Sequence, residues 1–438
     1  MKIGLISFEF TASGGDQIHL LRLGQSLRNL GHEVVIHAYR YNPRSCYPSI
    51  AREFDIRAVH VISDERVPVY RSSSLGIVGV AARRYFLESR HLERYLRDVD
   101  VLVPVGRPAH RSAVFLKRRT GIPIVWICND VVGWEEAGHR ARVGKFMQHM
   151  ASRAMLPREK QIVSEIDEIA VLCERVKTVI ESAYARPAQV VHIGSDSHDL
   201  REQPEGGRRI RQKLGIADQD FLALWFGMLE PFRRIEDLIE ATHILREKGI
   251  RIHCRIVGRT DSARTYATQL RGMISQLGLE EQVRFVEGAI PEEELSDYYS
   301  ACDVFVFPND HQSWGLAPLE ALCCRRPVIV SRGSGVHEVL RDGETALLAP
   351  SRDPQSLAHA IGRIANDPAL AQNIAERGKN LVAGLTWENY AISMLELMER
   401  ARSKARQRSR AVSSARQVPW SGWTRHMITA TEPVWRIR

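Results

Sequence analysis

Arg233 and Arg234 form a candidate anion-binding pair. They follow Gly227 in the segment GMLEPFRRIEDLIEA and stand just before a predicted helix. Arginine holds phosphate oxygens through paired hydrogen bonds and stays charged at neutral pH. Two guanidinium groups at the start of a helix therefore predict a clamp for a diphosphate. The alternative is a solvated pair that balances the carboxylates of Glu236, Asp237 and Glu240.

A second candidate phosphate site lies in the segment PNDHQSWGLAPLEAL. Gly315 and Leu316 fall between a predicted strand and a predicted helix, where backbone N–H groups can bind an anion. Glu320 lies about one turn into that helix, where its carboxylate can accept hydrogen bonds from ribose hydroxyls. An acid in this otherwise apolar helix indicates a function, because an unpaired carboxylate is costly to bury. A capping or ion-pair role is the alternative for Glu320.

Gly14 and Gly15 follow the first predicted strand, IGLIS, and precede a helix that Asp16 could cap. Glycines at such a turn let backbone N–H groups approach a ligand, and the helix dipole favours negative charge. The segment TASGGDQ is not the GxGxxG pattern of dinucleotide-binding proteins. A tight turn between strand and helix, without a ligand, explains the two glycines equally well.

The sequence predicts neither a metal site nor disulfide bonds. Asp218 and Asp220 have the spacing of a metal-binding pair, but they fall in a predicted turn before the strand FLALWF. We interpret them as turn residues and expect no metal. Seven cysteines without a CxxC pair predict core thiols in a reducing compartment and no disulfides.

Strand and helix patterns alternate along most of the chain, which predicts an α/β fold with parallel sheets. The pattern restarts at FLALWFGML, so we expect two doubly wound domains, residues 1–193 and 208–385, joined by a linker over 194–207. A last helix, 386–401, is expected to cross back to the first domain, and residues 133–160 to form an irregular insertion. Such sheets bind ligands at the carboxyl ends of their strands, which places the expected site in the cleft between the domains.

The composition is that of a globular protein, with 44% hydrophobic and 26% charged residues among 438. No apolar run approaches the roughly 18 residues that span a bilayer. The N-terminal segment MKIGLISFEF is typical of a first strand rather than a secretory signal. These features predict a cytoplasmic protein.

Most of the net charge of +9 lies at the C-terminal end of the chain. From residue 401 onward nine basic residues face one acid, and we expect residues 402–438 to form a flexible basic tail. Trp420, Trp423 and Trp435 lie among these arginines. A solvated extension and contact with an anionic membrane surface both remain open, whereas sequence-specific binding of nucleic acid is disfavoured.

These segments resemble glycosyltransferase family four, whose members are retaining enzymes of the GT-B type. The resemblance covers about residues 1–400 and is strongest from 220 to 350. Gly14, Gly15 and the segment GHEVVIHA match the glycine pair and second strand of the family. Residues 193–196 match its NGVD-like linker in part. The resemblance implies two Rossmann-like domains facing a central cleft, the first for the acceptor and the second for a nucleotide-sugar donor.

The donor-phosphate motif of the family is altered in this chain. Its arginine falls on Met228, its lysine on Arg233 and its helix-start glycine on Arg234. Loss of one preorganised cation costs about 100- to 1000-fold in rate unless another group replaces it. We expect Arg234 to be that replacement.

Two further family positions differ. The first of two signature glutamates falls on Gln312, eight positions before Glu320, and a first-domain histidine falls on Asn129 in the segment WICND. Glutamine can hold a hydroxyl or a backbone group but cannot act as a nucleophile. These departures predict a variant active site.

The resemblance implies transfer of a sugar from a nucleoside diphosphate donor, with retention of configuration and without metal or further cofactor. Arg233 and Arg234 would stabilise the departing diphosphate, and Gln312 would hold the donor sugar or phosphate. Donor contacts are expected from the residues Gly15, Gly227, Gly315, Leu316 and Glu320.

Sugar or acceptor contacts are expected from Gly14, Asn129, Asp130 and His337, although the turn GSGVHEVL around His337 could contribute its backbone alone. The acceptor itself is not identified by the sequence. No glycosidase-like pair of carboxylates is evident near the signature.

Three alternative functions remain open. The first is a nucleotide-sugar epimerase of the same architecture, and the second is a noncatalytic protein that binds sugar nucleotides, suggested by Met228, Gln312 and Asn129. The third is a peripheral membrane scaffold, suggested by the basic tail and by the arginines at positions 83, 84, 90, 94 and 97.

Overall fold

The computed structural model describes residues 1–11, 14–62, 90–129, 156–195, 199–260, 263–288 and 290–416. For residues 411–416 it describes the backbone alone. The predictions for Asp130, for 417–438 and for most of the 133–160 insertion lie outside these residues. Within them, strands and helices alternate as the sequence pattern predicts.

Among the described residues of the first domain, seven parallel strands form one sheet. They are β1 Lys2–Phe10, β2 Glu33–Tyr41, β3 Ile56–Val61, β4 Val101–Pro104, β5 Val125–Cys128, β6 Glu168–Val171 and β7 Gln189–Val190. Their order is β3-β2-β1-β4 and β5-β6-β7, and parallel bridges from Leu102 to Ile124 and from Val105 to Ile127 join β4 to β5. The helices are α1 Gly15–Asn29, α2 Pro48–Ala51, α3 90–96, α4 Ala109–Thr120, α5 156–164 and α6 Glu174–Tyr184.

In the second domain, the described residues form six parallel strands in the order β10-β9-β8-β11-β12-β13. They are β8 Leu222–Phe226, β9 His253–Gly258, β10 Val283–Glu287, β11 Val304–Phe307, β12 Val328–Ser331 and β13 Leu347–Ala349. The helices are α7 Pro204–Leu214, α8 Ile235–Glu247, α9 Arg264–Gln276, α10 Leu295–Ala301, α11 Ala317–Cys323, α12 Pro354–Asn366, α13 Pro368–Gly384 and α14 Trp387–Arg416. Because α7 begins at Pro204, the last part of the expected 194–207 linker is helical.

The strand sequences explain why both sheets are covered by helices. Strands such as β4, β5 and β11 are buried at every position, as expected for parallel strands with helices on both faces. The direction of chain progression reverses between β1 and β4 in the first sheet, and between β8 and β11 in the second. Ligand sites of doubly wound folds lie at the carboxyl ends of the strands that flank these switch points.

The last helix returns to the first domain, and it is longer than the sequence indicated. Residues 402–416, expected in a flexible tail, continue α14 without a break. Arg402 lies 3.2 Å from Asp100, Lys404 lies 2.8 Å from Glu168, and Arg408 also contacts a first-domain carboxylate. Three of the basic residues expected in the tail thus hold this part of the helix on the first domain.

Within the part of the chain that is described, none of the helices combines the length and apolar character needed to cross a bilayer. All seven cysteines are buried, as expected of core thiols, and none is paired with another in this structure.

The contact between α14 and the first domain gives a stability prediction. Asp167 has a fully buried carboxylate that lies 2.6 Å from Lys117 Nζ, accepts from Ile124 N–H at 2.8 Å and contacts Arg408. Asp167→Ala leaves a partly buried lysine without its partner, so we expect the free energy of unfolding to fall by about 3 kcal/mol. Urea denaturation checks this, with Asp218→Ala, an exposed carboxylate, as the matched control. Equal stability of the two variants would contradict the prediction.

Candidate functional site

The turn between β8 and α8 places Arg233 at the carboxyl edge of the second sheet. Gly227 ends β8 with φ of 152°, a backbone conformation that favours glycine. A short 3-10 turn, Pro231–Arg233, leads from there into α8. Met228 is 66% exposed in this turn, so the position of the family's arginine presents an apolar side chain.

Arg233 is half-buried and held by neutral acceptors. Its Nη1 donates to Gln312 Oε1 at 2.6 Å. The buried amide of Asn309 lies against both Arg233 and Gln312; with its oxygen turned to the guanidinium, it accepts from Nη1 at 2.8 Å and donates to the Arg233 carbonyl at 3.2 Å. Burial lowers the pKa of Arg233 to about 10, so the guanidinium stays charged at neutral pH.

Arg234 is oriented differently from Arg233. Its Nη1 lies 2.7 Å from Glu236, and its Nη2 lies 2.6 Å from Asp237. Burial opposes its charge, but these two carboxylates outweigh that effect and raise its pKa. The expected replacement of the missing cation by Arg234 is therefore not supported, because its guanidinium is neutralised by the first turn of α8. The alternative interpretation of the two arginines was that they balance the nearby carboxylates. It describes Arg234 but not Arg233.

Glu320 lies in the first turn of α11 and is held by a buried tyrosine. Tyr299 donates its hydroxyl to Glu320 Oε2 at 2.5 Å. The tyrosine ring packs against Phe226 and Phe305 at centroid distances of 5.0 and 5.4 Å. Burial, together with the Glu320 carboxylate, raises the pKa of Tyr299 well above its usual 10, so the phenol remains a donor. One oxygen of Glu320 is thereby fixed in place.

Gly315 precedes α11 in a conformation that only glycine adopts readily. Its φ is 142°, and an added Cβ would lie 2.6 Å from the Phe307 ring. Leu316 follows as the N-cap residue of α11 and makes no side-chain cap, so the first N–H groups of the helix have no partner from that residue.

Gln312 is connected to the glycine turn that contains His337. Gln312 N–H donates to the Gly333 carbonyl at 3.2 Å, and Gly335 N–H donates to the Gln312 carbonyl at 2.9 Å. His337 turns its Nδ1 toward the Ser334 carbonyl, 2.7 Å away. The structure thus brings Arg233 and Gln312 into contact and ties His337 to its own turn.

Gly14 and Gly15 open α1 at the carboxyl end of β1. Gly14 is the N-cap residue with an extended backbone, and an added Cβ would lie 2.7 Å from Gln17 Oε1. Gly15 is exposed, and an added Cβ would meet nothing within 4 Å. Asp16 does not cap the helix, as the sequence suggested it could, because its carboxylate turns to Asn129 Nδ2 at 2.9 Å.

Asn129 belongs to a buried polar group that joins three elements. It is 3% exposed, and its Nδ2 lies 3.5 Å from His19 Nδ1 in α1. His19 Nε2 lies 2.6 Å from the hydroxyl of Tyr390 in α14. Burial lowers the pKa of His19 to about 3, so the ring is neutral at neutral pH. No partner for Asn129 Oδ1 occurs among the described residues.

Several of these residues were missed by sequence reasoning. Tyr299 holds Glu320, and Asn309 contacts Arg233. His19 lies against Asn129, and Tyr390 in turn holds His19. Each comes from a separate element, so no local spacing marks it. His19 stands four residues after Gly15 on α1, which was the one available signal.

Within the described ranges, no group of three or more His, Cys, Asp or Glu side chains is arranged to hold a metal ion. Asp220 accepts from Ala217 N–H at 3.3 Å in the turn before β8, as expected of a turn residue.

Two family models match the chain over most of its length. The model described as "Glycosyl transferase 4-like domain" matches residues 14–195, and the model described as "Glycosyl transferases group 1" matches residues 207–381. The two matches fall on the first and second Rossmann-like domains.

Curated relatives include D-inositol 3-phosphate glycosyltransferases. The protein of that name from Kineococcus radiotolerans is 26% identical over 406 residues, which cover 89% of this chain and 91% of the relative. The one from Streptomyces bingchenggensis is 27% identical over 250 residues, 56% of this chain and 55% of the relative. The match thus covers about half the length of the Streptomyces relative and most of the length of the Kineococcus relative.

Solved structures of similar fold cover nearly the whole chain. Anabaena HepE in complex with UDP aligns with a TM-score of 0.72 and 17% identity, covering 91% of this chain and all of that one. Sucrose-phosphate synthase from Thermosynechococcus elongatus aligns with a TM-score of 0.73 and 21% identity, covering 92% and 99%. At this identity the likeness concerns the fold, two Rossmann-like domains facing a cleft.

The two glycines that precede helices should respond differently to substitution. Gly315→Ala forces a Cβ against Phe307 at a positive φ, so we expect a loss of about 1–3 kcal/mol in the free energy of unfolding. Gly15→Ala adds a methyl group in open space and should change stability by less than about 0.5 kcal/mol. Chemical denaturation of both variants measures the difference, and equal losses would contradict the argument.

His19 should make stability depend on pH. Its pKa is about 3 in the folded protein and near 6.5 when unfolded. The unfolded chain therefore binds the proton first, so this contribution is complete above pH 6.5 and falls as the pH drops toward 3. We expect His19→Gln to reduce the slope of unfolding free energy by about 1 kcal/mol per unit between about pH 6 and pH 4.5.

Denaturant titrations at several pH values measure that slope. The pKa of His37 is also lowered to about 3 by burial, so part of the slope should remain in the variant. An unchanged slope would show that His19 does not titrate as described.

Proposed function

Because this chain belongs to the GT4-like glycosyltransferases of the GT-B type, we propose that it transfers a sugar from a nucleoside diphosphate sugar to a hydroxyl acceptor with retention of configuration. The observation that carries the donor assignment is the guanidinium of Arg233, charged, half-buried and held by amide oxygens at the carboxyl edge of the second sheet. The UDP complex of HepE, whose fold is similar, supports a nucleotide ligand for this architecture.

In this proposal Arg233 stabilises the leaving diphosphate. As the bond between the anomeric carbon and the phosphate oxygen breaks, the diphosphate takes the electron pair and gains negative charge. A fixed cation at that point binds the transition state more strongly than the ground state and lowers the barrier. Gln312 and Asn309 keep the cation in place, and the N–H groups that follow Gly315 and Leu316 offer further donors.

Glu320 would bind the ribose of the donor. Its carboxylate can accept from two vicinal hydroxyls, and Tyr299 fixes the orientation of one oxygen. Gly227 would let the diphosphate approach the backbone at the end of β8, where a side chain would intrude. This division of roles needs no metal, since the charge on the diphosphate is met by Arg233 and by backbone donors.

The first domain would present the acceptor. Gly14, Gly15 and Asn129 lie at the carboxyl ends of β1 and β5, and Asp130 follows there in the sequence. The acceptor hydroxyl attacks the anomeric carbon on the face from which the diphosphate leaves, and its proton passes to the departing phosphate oxygen. His337, bonded to its own turn, would contribute through the position of that turn.

One observation favours a second candidate function, binding of a sugar nucleotide without transfer. Met228 puts an exposed apolar side chain where the family has an arginine, and Arg234 is neutralised by carboxylates. Binding of nucleotide with no turnover on any acceptor would favour this function, and donor consumption without acceptor would favour an epimerase.

Buried, unpaired thiols suit a reducing compartment, so we propose a cytoplasmic location. Contact with an anionic membrane remains a proposal for the basic residues beyond Arg410. Arg402, Lys404 and Arg408 of α14 are less available for membrane contact, because they pair with carboxylates of the first domain.

Substitution at the two adjacent arginines tests the donor assignment. Arg233→Ala should lower kcat/KM by about 100- to 1000-fold while the protein stays folded, because a preorganised cation is lost. Arg233→Lys should keep the charge and lose part of the geometry, with an intermediate effect. Arg234→Ala is the matched control and should lose far less, since its charge is compensated by Glu236 and Asp237.

Nucleotide binding is measured first, by thermal stabilisation of the wild-type protein with UDP, GDP and ADP in the presence of chelator. Stabilisation by one of them, lost in Arg233→Ala, supports the proposal. Full activity of Arg233→Ala would contradict the role of that residue, and binding that requires a divalent metal would contradict a metal-free donor site.

A further inference from the structure

Glu338 of the second domain caps a helix of the first domain. Both of its carboxylate oxygens accept from the backbone N–H of Glu174, at 2.9 and 3.0 Å, and Glu174 is the first residue of α6. Cys173, the N-cap residue, makes no side-chain cap. A carboxylate is favoured at this end because the first N–H groups of a helix lack helical partners and carry partial positive charge. The cap of α6 is thus supplied across the domain boundary.

The turn that carries Glu338 packs tightly on the first domain. A Cβ added at Gly335 would lie 2.8 Å from Cys173 Cβ and would overlap the Ser313 carbonyl oxygen. Beside it, the ring of His192 from the first domain stacks on Trp314 with centroids 5.1 Å apart. This packing holds Glu338 at the end of α6.

Three hydrogen bonds connect the same turn to Arg233. Gly335 N–H donates to the Gln312 carbonyl at 2.9 Å, and Gln312 N–H donates to the Gly333 carbonyl at 3.2 Å. Gln312 Oε1 then accepts from Arg233 Nη1 at 2.6 Å. A displacement of residues 333–338 would therefore move the acceptor that holds Arg233.

We propose that Glu338 is a positioning residue that couples the contact between the domains to diphosphate binding at Arg233. The inference rests on the proposed function. While Glu338 binds the Glu174 N–H, the turn and Gln312 are anchored on α6 and Arg233 is held ready for the diphosphate. Linkage makes the effect reciprocal, so bound diphosphate strengthens the contact between Glu338 and Glu174 by the same factor.

The contact can be removed from either side. Glu338→Ala removes the acceptor, and Glu338→Gln keeps one oxygen without the charge. Glu174→Pro removes the N–H, and the helix should tolerate it because proline suits the first helical position. Cys173 already has the extended backbone, φ −155° and ψ 161°, that a residue before proline requires.

We expect Glu338→Ala and Glu174→Pro each to weaken nucleotide affinity about tenfold, as for loss of a charge-assisted contact. UDP, GDP and ADP are titrated in parallel by calorimetry, and Glu338→Gln should fall between wild type and Glu338→Ala. The double variant should bind no more weakly than either single variant, because both remove the same bond. Glu344→Ala, an exposed carboxylate six positions further on, is the matched control and should leave affinity unchanged.

Hydrogen exchange supplies a second readout. The Glu174 amide should exchange faster in Glu338→Ala than in wild type, and the nucleotide that binds should slow it in wild type. Lower thermal stability with unchanged affinity would overturn the coupling and leave a purely structural contact. If wild type binds a nucleotide and Glu338→Ala binds it equally well, the coupling is wrong and the proposed function stands. If wild type binds none of the three, both fail together.

Discussion

A guanidinium group removed from water needs acceptors for its hydrogen bonds, and the choice of acceptor decides what its charge can do. Arg233 is bonded to the amide oxygens of Gln312 and Asn309, which orient it without cancelling its charge. Burial lowers its pKa only to about 10. The charge of Arg233 is therefore available to an anion. The donor side of the cleft depends on the segment that places Asn309 and Gln312 beside this residue.

Arg234 shows the opposite arrangement one residue later. Its guanidinium is bonded to two carboxylates of α8, so its field is largely cancelled at short range. Its backbone has φ of 52°, in the left-handed region where the related family has glycine. The ion pairs with Glu236 and Asp237 help to offset the cost of that conformation. Arg233 is thus available to bind an anion, whereas Arg234, the next residue, stabilises the start of α8.

The sequence predicted the helices and strands far better than the contacts between side chains. Apolar runs and glycines placed most of the strands, because a doubly wound fold repeats one local pattern, whereas the strand order and its switch points came from the structure. The candidate site residues Arg233 and Glu320 could be assigned to strand-to-helix turns for the same reason. For Arg234 the sequence left a clamp and an ion pair both open, because its partners follow it so closely that the two have the same sequence signature. Tyr299 and Tyr390 could not be found, since their partners lie 21 and 371 positions away.

The helix α14 lies on the first domain although it follows both domains in the chain. Tyr390 reaches the buried ring of His19, and Trp387 lies against Gly194 so closely that a Cβ there would overlap its backbone nitrogen. During synthesis the first Rossmann-like unit is therefore complete in sequence long before it is complete in structure. Until α14 leaves the ribosome, the contacts of Tyr390 and Trp387 with the first domain cannot form, so the packing of the unit made first is completed only once the end of the chain has been made.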